Sequence, residues 1–151
     1  MNIAGVGDFD GDKTDDILWL NPTNNLVGEW QMNNNVPTWQ LIGQGSTSVK
    51  IAGVGDFTGK GNDDILWENP TNGQVGFWAM TNGQETSWNV IGTANLSYQE
   101  AGIGDYYGNG TDDILWRNAS TGDVGMWAMN NGQATWHDLG ISSTAFNAVK
   151  T

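Results

Sequence analysis

The chain contains one sequence unit three times, and this repetition limits its fold more than any other feature. Residues 3–9 read IAGVGDF, the same letters return at 51–57, and a close variant stands at 101–106. All nine tryptophans occupy repeat positions, at intervals of about 48 residues, a period typical of propellers and other repeat arrays. Such units bury their apolar faces by stacking on neighbours. The fold therefore lies in the unit and in how units associate.

Each unit predicts four short strands separated by turns. In the first unit, apolar or alternating stretches are joined by segments rich in Asn, Asp, Gly and Pro, and no stretch keeps helical periodicity. The predicted strands of that unit are 3–9, 16–20, 27–32 and 38–42. The predicted fold class is all-β, with three four-stranded antiparallel propeller blades in a single segment covering 1–151. The predicted blades are 3–50, 51–99 and 100–147.

Charge and composition exclude several functions. Seventeen acidic residues against five basic ones give a net charge of −12, which repels nucleic acid and anionic membrane surfaces. No apolar run is long enough for a membrane-spanning helix, and no basic-then-apolar leader follows Met1, so no signal peptide is expected in this chain. Without cysteine, disulfides and zinc–thiolate sites are also excluded.

The third predicted strand shows which face is packed. Gly28, Trp30 and Met32 share one side of the strand, and the same three residue types recur at the matching positions of both later units. The opposite side keeps only its valine. We expect the repeated Trp–Met face to pack against a neighbouring blade.

The first inter-strand loop has the composition of a calcium site. Asp8, Asp10, Asp12 and Asp16 form the pattern Asp-x-Asp-Gly-Asp-x-x-x-Asp, and the carbonyl of Thr14 stands at the seventh position. Calcium takes six to eight oxygen ligands, which such a loop supplies. The spacing opens like an EF-hand loop but lacks its glutamate and flanking helices. The alternative is an acidic turn without metal, in which four carboxylates would repel one another.

The corresponding loops of the later units have lost ligands. In the second loop Thr58 and Lys60 replace two of the aspartates, and we expect this loop to be metal-free, with the Lys60 ammonium near the cation position. In the third loop Tyr107 replaces one ligand, so a weaker site is expected. The ligands retained there are Asp105, Asn109 and Asp113.

The segment GDFDGDKTDDILW at 7–19 resembles the FG-GAP or VCBS repeat. Repeats of this family build the calcium-bearing β-propellers of integrin α-subunit heads, of lectins of the Psathyrella velutina type and of many bacterial surface or secreted proteins. The resemblance covers 3–147. It implies a propeller with calcium loops at its hairpins, with Asp8, Asp10, Asp12 and Asp16 matching the family's ligands, and an extracellular or cell-surface location. It implies no particular ligand.

Three blades do not close a ring, because propellers have four to eight. Open faces at both ends of a three-blade arc would expose apolar surface. We therefore expect head-to-tail homo-oligomers, with six blades in a dimer favoured over nine in a trimer. Residues 141–151 also follow the sequence course of 44–54, which would place the carboxyl end where a next first strand begins.

Non-enzymatic, lectin-like recognition of sugars is the leading functional hypothesis. Tryptophans of the fourth predicted strand supply stacking surfaces, and their neighbours vary between units as solvent-facing residues do. The candidate ligand-binding residues are Trp39, Trp88, Trp136, Gln40, Asn89 and His137. The alternatives are that these tryptophans only cover the edge strand, and that the propeller is a self-assembling scaffold or a protein-adhesion module. No catalytic motif for hydrolysis or phosphate binding is found.

Overall fold

Residues 1–148 are described by a computed structural model, and they form twelve β-strands. Sheet 1 contains β1 (Asn2–Gly7), β2 (Asp16–Asn21), β3 (Leu26–Asn33) and β4 (Val36–Gln44). Sheet 2 contains β5 (Lys50–Gly55), β6 (Asp64–Glu68), β7 (Gln74–Thr81) and β8 (Gln84–Thr93). Sheet 3 contains β9 (Tyr98–Gly104), β10 (Asp113–Asn118), β11 (Asp123–Asn130) and β12 (Gln133–Ile141). The described residues contain no helix able to span a bilayer.

In each sheet the four strands are antiparallel and neighbours in the sheet are neighbours in the sequence. The predicted all-β class with three four-stranded antiparallel sheets is therefore confirmed. The predicted first strand is too long at its end, since β1 stops at Gly7. From Asp8 onward the chain turns, because the Asp8 carboxylate accepts the backbone N–H groups of Gly11 and Asp12 at 2.7 and 3.1 Å.

Tight turns join the third and fourth strands of every sheet. Each turn has two central residues with positive φ, the geometry of a type I′ hairpin, whose twist matches that of the paired strands. The pairs are Asn34 and Asn35 (φ 49° and 66°), Asn82 and Gly83 (51° and 71°), and Asn131 and Gly132 (50° and 78°). Asparagine tolerates this backbone region better than most residues, so the all-Asn turn of sheet 1 keeps the same shape.

In each sheet one buried aspartate carboxylate accepts backbone hydrogen bonds from two separate segments. The Asp16 carboxylate accepts the backbone N–H of Met32 at 2.9 Å and that of Phe9 at 3.2 Å, so it ties the third strand to the loop after the first strand. Asp64 accepts from Met80 and Phe57 in the same way. Asp113 accepts from Met129 and from Tyr107, which lies one position later in its loop than Phe9 and Phe57 do in theirs. These bonds satisfy backbone donors that would otherwise be buried alone.

The sheets pack face to face in chain order. One core lies between sheets 1 and 2, where Leu18 and Val27 meet Ile65, Trp67 and Met80. A second core lies between sheets 2 and 3, where Leu66 and Phe77 of sheet 2 meet Ile114, Trp116 and Met129 of sheet 3. In both, the Trp–Met face of the later sheet packs on the preceding sheet, as its repetition predicts. Among the described residues no sheet covers the same face of sheet 1.

The link that follows each fourth strand also repeats. Gly45 donates its N–H to Asn25, Ala94 to Gly73, and Ser142 to Gly122, at 2.9, 2.8 and 2.8 Å. Up to residue 148 the predicted correspondence between the two segments is present in these contacts. The predicted start of a next first strand falls on 149–151, which lie outside the described residues.

Candidate ligand cavities and acidic loop

A row of three tryptophans crosses one face of each sheet. The tryptophan of the second strand meets that of the third in an edge-to-face contact, with ring centroids 4.8, 4.9 and 5.1 Å apart in sheets 1, 2 and 3. The third tryptophan stands on the fourth strand, opposite the second of the row in register. The rows are Trp19, Trp30 and Trp39; Trp67, Trp78 and Trp88; Trp116, Trp127 and Trp136.

The outer tryptophan of each row lies across a glycine of the third strand. A Cβ added to Gly76 would lie 2.6 Å from Cη2 of Trp88, closer than real side chains approach. Gly28 beneath Trp39 and Gly125 beneath Trp136 are equally crowded. The repeated glycine is therefore the seat of the outer indole. The three outer rings remain 48, 44 and 47 % exposed, so each presents a flat apolar surface to solvent.

The rows of sheets 2 and 3 each line a cavity. In sheet 2, Trp67, Trp78 and Trp88 enclose about 330 Å³ together with the link from sheet 1, including Gln44 and Ser46. In sheet 3, the row encloses about 350 Å³ with the link from sheet 2, including Thr93, Asn95 and Tyr98. Both volumes fall within the range of small-molecule sites. The two cavities are thus repeats of one another, each formed where one sheet meets the next.

Polar groups accompany the aromatic walls. Asn69 and Gln74 line the first cavity beside the tryptophans. The Nε1 atoms of Trp19, Trp67 and Trp116 are buried and have no hydrogen-bond partner among residues 1–148, and the last two belong to cavity walls. Buried polar groups normally have partners, so an unpaired donor in a cavity wall is a feature to be explained. Apolar faces with a few polar groups are the usual makeup of a small-molecule site.

The structure separates the predicted ligand residues into two groups. Trp88 and Trp136 line the cavities, and Trp39 occupies the same position on the open face of sheet 1. The residues that follow them lie on the other side of the strand, because successive side chains point to opposite faces. Gln40 donates to the Gly83 carbonyl at 2.9 Å, and Asn89 donates to Ser87 Oγ at 2.9 Å. The His137 ring is tilted by 38° against that of Tyr107, with ring centroids 5.5 Å apart. None of these three lines either cavity.

In sheets 2 and 3, two tryptophans besides the outer one line the cavity. The third-strand tryptophans pack against the core, as the sequence predicts, and also form cavity wall. The sequence pattern assigns no role to the second-strand tryptophans, which line the cavities too. Their recurrence in every unit was the available signal. The repeat pattern does not show the path of the link between two units. That link forms the cavity wall opposite the tryptophans.

In the first acidic loop, Asp8, Asp10 and Asp16 are brought together. One carboxylate oxygen from each lies within 4.8 Å of the others. Asp12 is not part of this group, and its Oδ1 accepts the backbone N–H of Thr14 at 2.7 Å. Three of the four predicted aspartates thus converge, and the Thr14 carbonyl stays a predicted ligand.

Burial and the nearness of other carboxylates disfavour the charged forms of two aspartates in this loop. Burial raises the pKa of Asp10, and the charges of Asp12 and Asp8 raise it further. Burial likewise raises the pKa of Asp16, with the charge of Asp10 adding to the effect. The donors are all carboxylate oxygens, which suit a hard divalent ion such as calcium. The residues present therefore fit that ion, with three carboxylates as its core.

The later loops keep the turn without the cluster. Asp56 accepts the N–H groups of Gly59, Lys60 and Gly61, and Asp105 accepts those of the matching residues, so the backbone shape needs no cation. Through residue 148 the single ion pair is between Lys50 and Glu68, so the Lys60 ammonium lies beyond ion-pair distance of the loop carboxylates.

In the third loop the side-chain amide of Asn109, a predicted ligand, makes hydrogen bonds to the backbone. Asn109 Nδ2 donates to the Met129 carbonyl at 3.0 Å, and its Oδ1 accepts the N–H of Thr111 at 3.0 Å. Over residues 1–148, the first loop holds the single group of three or more acidic or histidine side chains close enough to share an ion.

Comparison with known proteins adds no family assignment. No protein-family model matches the chain, and no curated protein matches it.

Proposed function

We propose that this chain is a non-enzymatic carbohydrate-binding module, part of a calcium-stabilised β-propeller of the FG-GAP or VCBS kind. Its two tryptophan cavities would each hold a neutral sugar. The observation that carries this proposal is the repetition of the cavity, with three tryptophans of one sheet facing the polar link from the sheet before.

Repetition argues for binding over packing alone. A packing role requires only that the tryptophans be buried, whereas the outer indoles remain about half exposed in all three sheets. A flat, exposed aromatic ring above a polar rim suits the apolar face and hydroxyl edge of a pyranose ring. The net charge of −12 disfavours anionic sugars. Weak binding at each site would gain avidity when several sites engage one glycan surface.

Calcium belongs to the proposal through the first loop. Asp8, Asp10 and Asp16 would hold the ion, and the ion would neutralise the carboxylate charges that add to the raised pKa values of Asp10 and Asp16. Its expected role is to stabilise the loop after the first strand. None of these aspartates lines either tryptophan cavity, so metal and sugar can be tested separately.

A scaffold without a sugar ligand is the second candidate. It is favoured by the apolar faces left open at both ends of the three-sheet stack, which suit association with further sheets. A protein that forms oligomers but binds no neutral sugar would support this scaffold role.

The test is a neutral-glycan array followed by titration calorimetry with a sugar that binds. We expect two sites in a single chain, one after Trp88→Ala, one after Trp136→Ala and none after both changes. Trp39→Ala, measured at a protein concentration at which the chain is monomeric, is the matched control, because Trp39 is equally exposed but has no facing link within residues 1–148 of its own chain, and it should leave both sites. Circular dichroism checks that each variant folds. Equal binding by all variants, or no binding to any neutral glycan, would refute the proposal.

A further inference from the structure

We infer that two copies of this chain associate head to tail and close a ring of six sheets. The front face, defined by Val6, Asp15, Trp30 and Asn35 of sheet 1, would meet the back face, defined by Gly102, Gly104, Asp105 and Tyr106 of sheet 3. The basis is that both faces carry the separate halves of contacts that the chain already makes twice within itself.

The first repeated contact is a side chain seated on two glycines. Val54 of sheet 2 lies against Gly5 and Gly7 of sheet 1, where a Cβ at Gly5 would be 2.8 Å from Val54 Cγ2. Ile103 of sheet 3 lies in the same way against the next glycine pair, Gly53 and Gly55. Close packing of this kind requires that no side chain occupy the glycine positions.

The second repeated contact is a two-way pair of hydrogen bonds. Asp63 donates its N–H to the Asp8 carbonyl at 2.7 Å and accepts the Asp8 N–H on its carboxylate at 2.9 Å. Asp112 does the same with Asp56, at 2.8 and 2.9 Å. A charged acceptor makes each pair stronger than a neutral one.

The third repeated contact joins a hairpin to the preceding sheet. The N–H of Gly83 donates to the Phe9 carbonyl, and that of Gly132 to the Phe57 carbonyl, both at 3.0 Å. In sheet 1 the matching turn residue is Asn35, which is exposed and has a φ of 66° against 71° and 78° for the two glycines. Its N–H is therefore presented in the same geometry.

Both end faces hold the matching halves. On the front face Val6 is 55 % exposed, whereas its counterparts Val54 and Ile103 are partly covered by the preceding sheet. Asp15, the counterpart of Asp63 and Asp112, is exposed. On the back face Asp105 is exposed. A second copy is thus the occupant whose complementary groups the chain already contains.

Tyr106 shows what must move. Its counterparts Phe9 and Phe57 are fully buried, but Tyr106 is 51 % exposed. Its ring covers Gly102 and Gly104, with the hydroxyl 2.7 Å from where a Gly102 Cβ would lie. That is the seat that Val6 of a second copy would take. Docking therefore requires the Tyr106 ring to leave the glycine pair for the place that phenylalanine occupies in the other loops.

Closure would also complete a third cavity, and this part rests on the proposed function. Trp19, Trp30 and Trp39 lack a facing link within the described part of their own chain. In the second copy the link beginning at Ser142 repeats the backbone contacts of the two internal links, with Phe146 donating to the Ser143 carbonyl at 3.2 Å. Each junction of the ring would thus hold a cavity built from both copies.

The test measures the mass of the full chain by sedimentation equilibrium across a range of concentrations, without sugar. Salt near 0.15 M keeps the repulsion between two acidic copies short-ranged, with a screening length of about 8 Å. We expect a dimer whose mass does not increase further as the protein concentration is raised. Val6→Asp should lower the association constant at least tenfold. Val90→Asp is the matched control, because Val90 is 54 % exposed on the middle sheet, and it should leave the dimer intact.

A second variant tests the role of Tyr106 without risk to the fold. Tyr106→Phe restores the residue found in the other two loops and should strengthen the dimer. A chain that stays single at every concentration would overturn the inference, as would an open series of growing oligomers. Equal dimerisation of Val6→Asp and Val90→Asp would also overturn it.

Sugar stoichiometry separates this inference from the proposed function. The dimer should bind three sugars per chain, and Val6→Asp two per chain. A dimer that binds no sugar would uphold the ring and refute the sugar proposal. A wild-type protein that stays monomeric and binds two sugars per chain would uphold the sugar proposal and refute the ring.

Discussion

The carboxyl group of Glu29 lies directly beneath Gly83 of the neighbouring sheet, where a Cβ on that glycine would collide with it. Glu29 is fully buried, and neither carboxyl oxygen has a hydrogen-bond partner among the described residues. The matching position in sheet 2 is Phe77, which lies beneath Gly132 in the same way. Burial raises the pKa of Glu29 to about 8, with the charge of Asp16 adding to the effect. Glu29 is thus a buried acidic residue at a position where the next sheet has a phenylalanine.

Replacing Glu29 by glutamine should stabilise the protein at alkaline pH. The folded-state pKa lies above the ordinary value of 4.5, so the folded chain keeps a proton that the unfolded chain releases. Stability from this group is complete below the ordinary value and is lost as the pH rises through about 8. We expect Glu29→Gln to raise the free energy of unfolding at pH 8 by a few kcal/mol at most, since a tenfold change in proton affinity is worth about 1.4 kcal/mol.

Urea unfolding of both proteins at pH 5 and pH 8 checks this expectation. The other carboxylates titrate in both proteins and cancel in the difference. A difference that stays constant between the two pH values would show that Glu29 is not protonated in the folded state.

The cross-sheet carboxylate of Asp63 should matter where its counterpart Asp15 does not. Asp63→Ala leaves the partly buried N–H of Asp8 without its acceptor, at a cost of about 1–3 kcal/mol. Asp15 is exposed, so Asp15→Ala in a single chain should change stability by less than about 0.5 kcal/mol. Chemical denaturation in the Val6→Asp background makes the comparison. Equal losses from both changes would mean that the cross-sheet bond contributes nothing.

The seat of the outer tryptophan predicts opposite effects for two glycines of sheet 2. Gly76→Ala would push a methyl group into the Trp88 ring, and we expect a loss of about 1–3 kcal/mol together with weaker sugar binding. At Gly92 an added Cβ would lie 3.7 Å from Trp127, an ordinary contact, so Gly92→Ala should be neutral or stabilising by about 0.5–1 kcal/mol. Thermal melts and calorimetry measure both. Equal changes in stability from Gly76→Ala and Gly92→Ala would show that Gly76 is not needed to make room for the Trp88 ring.

Calcium binding should be transferable from the first loop to the second. The second loop keeps its aspartates at both ends and the same turn, but Thr58 and Lys60 replace two carboxylates. Thr58→Asp with Lys60→Asp should therefore raise the calcium stoichiometry of a single chain from one to two, measured by calorimetry. Asp10→Asn should abolish the original site. Because the pKa values of Asp10 and Asp16 are raised, affinity should fall as the pH is lowered.

A chain that binds no calcium at neutral pH would contradict the metal proposal outright. A second loop that stays empty after both changes would show that the aspartate pattern alone is insufficient.

Local chemistry explains which parts of the fold could be predicted from the sequence. The hairpins follow from Asn-Gly turns and alternating strands, both of which act over a few residues. The all-Asn turn at Asn34 and Asn35 shows that even its weaker variant keeps the shape. The Trp–Met face was predictable because it recurs. These features depend on neighbours in the sequence.

Contacts between sheets could not be predicted in the same way. Trp39 and Gln40 are adjacent in the sequence, yet their side chains lie on opposite faces of the strand, and Gln40 bonds to the hairpin of the next sheet. Tyr106 matches Phe9 and Phe57 in the repeat but turns outward, because no further sheet covers it among the described residues. The burial of Glu29 depends on a hairpin more than fifty residues later. Spacing alone carries none of this information.

The consecutive pairing of strands within each sheet has a consequence for how such chains change in length. Within residues 1–148 no strand pairs with a sheet formed elsewhere in the sequence, so each of these backbone ladders is completed within its own repeat. A gene duplication or deletion of one whole repeat would therefore break no ladder and thread no loop. Only the contacts at one junction would have to be remade, and the backbone hydrogen bonds among them have the same pattern at both junctions. Lineages can thus gain or lose repeats at small structural cost.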